Sequence, residues 1–340
     1  MDQLLVRLLD EGDHHAFFDQ STVREALLRE ASRQKVAALA ANAWQAYLSP
    51  ANQEWRQRVL AKNWTLHEDR LSKLEQIVRL LEEAGVEVIC LKGPATACRY
   101  YDPPFLRKSS HDLDFGVRRS HIERAVRALE PLGYRPEPLA KAFACNHHVE
   151  LDAPDRLHVE LHFRLSHGSA GMLIDEFFDR THNLKLPGGR VVRVLGDADQ
   201  LLHLLLHAAG SGHKSLFHLI ELRRVALANS LEIREQAIRR AIEGHFTGTL
   251  AVLDQTFFYY WNEPFTPAGF RLPRTWLGWM IGPDFHFRDR NWKRDESTVT
   301  LTAWLRVRLM EVVMTDRPVE AVHLLLRMMT SVWYRLKGSL

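Results

Sequence analysis

A chain of 340 residues can bury at least one full core and has room for two or three domains; its 46% hydrophobic and 26% charged content is that of a soluble globular protein. The formal net charge of +3 speaks against a polyanion-coating protein, whose basic excess is far larger, and leaves room for a local basic pocket. No apolar run approaches the ~20 residues that span a bilayer, the opening Met1-Asp2-Gln3 lacks a basic leader, and Cys90, Cys98 and Cys145 lack metal-knuckle spacing, so a cytoplasmic protein with reduced thiols and no membrane partner is expected.

Residues 1–85 read as helical. Thr22-Val23-Arg24-Glu25 fits a capping box, and the Ala- and Leu-rich stretch after it carries no Gly or Pro before Pro50. Over 53–84, Trp55, Val59, Leu71, Leu74, Val78 and Leu81 recur at three- and four-residue steps, which predicts a long amphipathic helix closed by Gly85. The pattern then changes. Residues 86–91 are short, β-branched and apolar, a buried strand that runs into Lys92-Gly93-Pro94 and a short helix through Tyr101. Residues 112–117 alternate polar and apolar, a strand with one buried face. Ser120-His121-Ile122-Glu123 predicts a capped helix ending near Gly133, and strands follow at 147–152 and 157–165, joined by a turn at 153–156. Pro187-Gly188-Gly189 marks a hairpin, and Asp197 with Gln200 opens another helix. A proline-rich irregular connection over 262–283 precedes helices at 299–314 and 318–335, whose Trp304, Trp333 and Tyr334 suit core packing. The organisation is an N-terminal helical region, 1–85, an α/β (α+β) core, 86–195, and a mainly helical C-terminal domain, 196–340.

In Asp112-Leu113-Asp114 the carboxylates stand at i and i+2, so a strand projects both from one face while Leu113, Phe115 and Val117 face the core. Most such pairs are solvated strand faces, yet adjacent hard oxygen ligands suit Mg²⁺, which takes one or two carboxylates plus substrate phosphates. On the later strand His158, Glu160 and His162 share a face. If that strand lies beside the first, Glu160 completes a three-carboxylate cage able to hold two metal ions for an in-line displacement at phosphorus. Glu150 and Asp152 compete for the third position. Gly93 admits a phosphate close to the backbone, with Lys92, Arg107 and Lys108 as candidate phosphate contacts.

These residues carry a resemblance. The run Leu91-Lys92-Gly93, a short helix with Tyr100, then Arg107 and Asp112-Leu113-Asp114 resembles the uncharacterised bacterial nucleotidyltransferase family, of the DNA polymerase β-like nucleotidyltransferase superfamily. Leu132-Gly133-Tyr134, Glu160-Leu161-His162-Phe163 and the helix through His203 and His207 fit as well, so that the likeness spans about 70–230 of the sequence. It implies a mixed sheet flanked by helices, with Asp112 and Asp114 on the nucleotide-loading metal, Mg²⁺ or Mn²⁺, and Glu160 as third ligand or general base. The family usually has Asp where Glu160 stands and a small residue where His111 stands, and many superfamily members have Gly-Ser or Gly-Gly where Lys92-Gly93 stands. Its members often lie beside natural-product genes, which implies a small-molecule or peptide acceptor rather than a polynucleotide. The expected reaction is transfer of an NMP group from an NTP, ATP by default for its abundance, with release of pyrophosphate.

Among the eighteen histidines, His203 and His207 have the i, i+4 spacing of zinc ligands, but no Glu follows His203 and packed helix histidines are expected. His162 shares the face of Glu160, where it can contact phosphate or orient that carboxylate. Two rival readings follow from the same residues: a catalytically silent nucleotide- or partner-binding module, and a metal-dependent hydrolase built on His158, Glu160 and His162.

Overall fold

The computed structural model describes residues 2–10, 21–153, 157–166, 172–210 and 216–267; the helices expected at 299–314 and 318–335, the turn residues 154–156 and most of the proline-rich connection lie outside them. Its centre is a seven-stranded mixed sheet of β1 (Val88–Cys90), β2 (Asp112–Val117), β3 (Arg135–Pro136), β4 (His148–Asp152), β5 (His158–His162), β6 (Thr181–Lys185) and β7 (Val191–Leu195). The order is β3-β4-β5-β2-β1-β7-β6. β2 runs parallel to β5 and β1 parallel to β7, and the other neighbours are antiparallel.

Alternation along the strands gives the sheet two apolar faces. Leu113, Phe115 and Val117 point into a core with Val149, Leu151, Val159 and Leu161, covered by Leu71, Leu74, Ile77, Val78 and Leu81 of helix α4 (Pro50–Glu83) and by α6 (Ile122–Leu129). Ile89, Leu91 and Leu195 face the other way, into a second core with α1 (Asp2–Asp10), α2 (Ser21–Arg33), α3 (Ala37–Ala43), α8 (Asp197–Gly210), α9 (Leu216–Leu227), α10 (Leu231–Glu243) and α11 (Thr247–Trp261). Two further helices, α5 (Pro94–Tyr100) and α7 (Leu139–Cys145), lie between strands. The site occupies this second face. Gly116 is required there, because a Cβ would stand 2.7 Å from Ile174 Cγ1, in a 3₁₀ segment (Ile174–Arg180) laid against the strand.

The long helix is capped at Ser49, whose side chain accepts from the Asn52 N–H, has Pro50 in its first turn and ends before Gly85 at φ +69°. Three expectations are corrected. The first helical stretch is not continuous: Lys35 takes φ +63° and the Val36 N–H bonds back to Ala31 O at 2.9 Å, a helix stop made without Gly or Pro that lets Val36 and Trp44 be buried. The Ser120–Glu123 box does not form, because Arg119–His121 make a 3₁₀ turn and α6 begins at Ile122 with no side-chain cap. Gln200 does not reach back to its helix start; its Nε2 donates to Leu91 O at 3.2 Å, tying α8 to the end of β1. Among the described residues no helix is long and apolar enough to cross a membrane. Cys90 and Cys145 are buried and stand outside any disulfide, and burial pushes the Cys90 thiol up to about 12, which leaves it inert.

Candidate active site

The parallel pairing of β2 with β5 sets Asp112 opposite His158, Asp114 opposite Glu160 and Gly116 opposite His162. Since alternate residues share a face, Asp112, Asp114, Glu160 and His162 emerge together on the side covered by α8. β4, antiparallel to β5, adds His148 opposite His162 and Glu150 opposite Glu160. On the far side of β2, Leu91 N–H donates to Asp114 O at 3.0 Å, extending the β1–β2 ladder so that Lys92 follows directly beside the carboxylates.

The polar contacts converge on Asp114, which is 3% exposed. Lys92 Nζ lies 2.8 Å from its Oδ1, and His162 Nε2 lies 3.2 Å from the same oxygen and 3.0 Å from Glu160 Oε2. His148 Nδ1 stands 3.7 Å from that Glu160 oxygen. Burial by itself would discharge Lys92, but Asp114 with Asp112 and Glu160 outweighs it and raises its pKa. Burial would likewise discharge His162, yet its bonds to Asp114 and Glu160 raise its pKa. Glu160 moves the opposite way: burial opposes its charge, while His148, His162 and Lys92 hold its carboxyl well below the usual range. The site is therefore a row of alternating charges, Lys92, Asp114, His162 and Glu160.

Asp112 is half-buried at the start of β2, and its carbonyl accepts from Ser110 Oγ at 2.9 Å. Gly93 has φ +70°, a conformation that favours glycine, and a Cβ there would lie 3.8 Å from Ser110 Oγ. Gly93, Arg107 and Lys108 line one small cleft with His67, Arg70 and Ser110. Arg107 turns elsewhere: it is 5% exposed, and its Nε and Nη2 donate to the Glu221 carboxylate of α9 at 2.5 and 3.1 Å. Of the rival carboxylates, Glu150 bonds His148 Nε2 at 3.3 Å and is mostly exposed, and Asp152 lies 2.7 Å from His158 Nδ1. His158 is thereby held at the other end of β5, away from His162.

Two further histidines stand at the site. His148 lies on the predicted strand 147–152, where its even number already placed it on the face of Glu150. His203 is the packed helix histidine expected, and α8 brings its buried ring to 6.5 Å from that of His162, with neither ring nitrogen hydrogen-bonded. Burial, then Lys92 and His162, lower its pKa to about 3. Two groups of side chains among the described residues have ligand atoms within 4.8 Å of one another: Asp114, Glu160 and His162, and His147, His148 and His162.

Comparison with known proteins gives one family, described as an uncharacterised nucleotidyltransferase, whose sequence profile matches residues 20–251. No curated protein matches the chain. A solved structure similar to it is the solution structure of the antibiotic-resistance factor ANT(2'')-Ia, at 12% identity and a TM-score of 0.41, over 52% of this chain and 93% of that one.

Proposed function

Because this chain belongs to the uncharacterised nucleotidyltransferase family, and so is a nucleotidyltransferase, we propose that it transfers an NMP group from an NTP, ATP by default, to a small-molecule or peptide acceptor and releases pyrophosphate. Asp112, Asp114 and Glu160 are the proposed ligands of Mg²⁺ or Mn²⁺, within a transferase core of residues 86–195. The observation that carries this is the register that sets Asp114 against Glu160. A second observation tests the fit of a metal: Asp114 Oδ2 is buried without a hydrogen-bond partner, while Oδ1 is held by Lys92 and His162. A buried carboxylate oxygen left so is costly unless a cation meets it, and hard oxygen is what Mg²⁺ takes.

When bound, the metal supplies charge neutralisation and polarisation of the phosphate. The chain's own groups do the rest. Lys92, kept charged by the carboxylates, offers a fixed positive charge where negative charge builds on the phosphates. Gly93, free of a side chain, lets the backbone approach them. His162 donates to both Asp114 and Glu160 and fixes their orientation. Glu160, held well below the usual carboxylate range, keeps its charge but is a weak proton acceptor, which favours a ligand role over that of general base.

The test is thermal denaturation with ATP, GTP, CTP or UTP, with and without Mg²⁺, on wild type and on the double variant Asp112→Ala/Asp114→Ala. A nucleotide at ~100 times its Kd stabilises by ~2.7 kcal/mol. A Mg²⁺-dependent rise in Tm that the double variant loses is expected. A well-folded wild type that responds to no nucleotide would overturn the proposal and favour a partner-binding module on the same fold.

A further inference from the structure

We propose a second metal site, for a zinc-class ion, made by His147, His148 and His162 on the side of the carboxylate pair away from Lys92. It stands on imidazoles rather than on the nucleotide chemistry and does not depend on the transfer reaction.

Strand register builds it. His148 on β4 faces His162 on β5, and His147, the residue before β4, is anchored by its carbonyl, which accepts from the N–H groups of Phe163 and Arg164 at 3.1 Å each. The ring centroids lie 4.4 Å apart for His147 and His148, 5.1 Å for His147 and His162, and 5.0 Å for His148 and His162. Each ring brings a nitrogen within 4.8 Å of a nitrogen on each of the others, close enough for one small ion to draw them in. His162 is the informative member. Its Nε2 meets Asp114 and Glu160, whereas its Nδ1 is buried and has no hydrogen-bond partner. A buried ring nitrogen without a partner, on a ring held by carboxylates at its other nitrogen, is one that a metal ion can take, the carboxylates orienting the ring.

Ligand chemistry separates the two sites. Three imidazoles with a position left for water or a substrate atom suit Zn²⁺ and its Co²⁺ surrogate, whereas the all-oxygen preference of Mg²⁺ directs it to the carboxylates. His162 touches both, so a zinc-class ion would be fixed next to the carboxylates, with Asp114 and Glu160 as its outer partners.

The experiment is titration of the metal-stripped full chain with Co²⁺ alone, read by visible d–d absorption, followed by displacement with Zn²⁺. Expected are intense tetrahedral bands at stoichiometric Co²⁺, bleached by Zn²⁺. His147→Gln should weaken Co²⁺ binding at least about tenfold. His158→Gln, an imidazole on the same strand but held by Asp152, should leave it unchanged. X-ray absorption on the Zn²⁺-loaded wild type covers the case in which His147→Gln fails to fold, and should count three imidazole ligands. Folded wild type without bands, equal affinity in His147→Gln, or fewer than three imidazoles would overturn the site. The Mg²⁺–nucleotide thermal shift of the same protein is a separate readout, so loss of one proposal is not mistaken for loss of the other.

Discussion

Burial leaves both ring nitrogens of His203 without a hydrogen-bond partner, and that burial, with Lys92 and His162 nearby, pulls its pKa down to about 3. An unfolded histidine titrates near 6.5. As pH falls below that value the unfolded chain takes up a proton that folded His203 refuses, so stability is full above it and declines toward the folded pKa. At pH 4.5 the loss is roughly 2–3 kcal/mol from this residue. His162 opposes it: with a raised folded pKa, its contribution is present below ~6.5 and fades as pH rises through the folded value. The stability difference between wild type and His203→Leu separates the two. From urea unfolding, that difference should shift by roughly 2–3 kcal/mol against wild type between pH 7.5 and 4.5. A difference that stays flat would mean that His203 is solvated or already charged in the fold. The i, i+4 spacing puts His203 and His207 on one face of α8, and only the sheet packed there, not the local sequence, sets His203 beside His162.

Elements meet at Arg107 and Glu221, which tie the approach to β2 to helix α9 through side chains only 5% and 2% exposed. Removing one partner leaves a buried charge alone, so Glu221→Ala should destabilise by ~3–5 kcal/mol, while Arg107→Met with Glu221→Leu should recover much of that loss. A double-mutant cycle by chemical denaturation measures it, and a cost below ~1 kcal/mol for Glu221→Ala would show the guanidinium relieved by water. The same pair shows where sequence reading stops. A basic residue shortly before Asp-x-Asp looks alike whether it turns to a phosphate or to a glutamate 114 residues later in the chain. β2 was legible to its bounds because period-two alternation is local, and α4 because its apolar steps repeat over many turns. The pairing of β2 with β5 was not legible: it entered only as a condition, because side-chain patterning names a strand's face and not its neighbour. β3, two residues long, and α7 left no pattern long enough to read.

At the scale of the whole molecule, the buried clusters run across the proposed regions 1–85, 86–195 and 196–340. Leu5, Leu27, Leu28 and Trp44, from the first helices, share one buried cluster with Leu201 and Leu205 of α8, Leu222 of α9, Leu250 and Leu253 of α11, and the sheet residues Ile89 and Leu91. Trp44 Nε1 also donates to Leu8 O at 2.8 Å, a buried bond that closes α1 onto the end of α3. Helix α4 spans both cores, with Trp55 and Leu60 against this cluster and Leu71 to Leu81 against the other side of the sheet. The helices that begin the described chain therefore complete the layer over the site face, and they should not be separable from it. A fragment of residues 49–340 would leave Leu201, Leu205, Leu250 and Leu253 without their packing partners, an apolar surface that promotes association. It is expected to aggregate, or to bind a hydrophobic dye and lose the cooperative transition of the full chain, by light scattering, ANS fluorescence and calorimetry. A monomeric fragment that melts cooperatively at the full chain's Tm would instead make residues 1–48 an independent attachment, and the site face would then owe its burial to α8 through α11 alone.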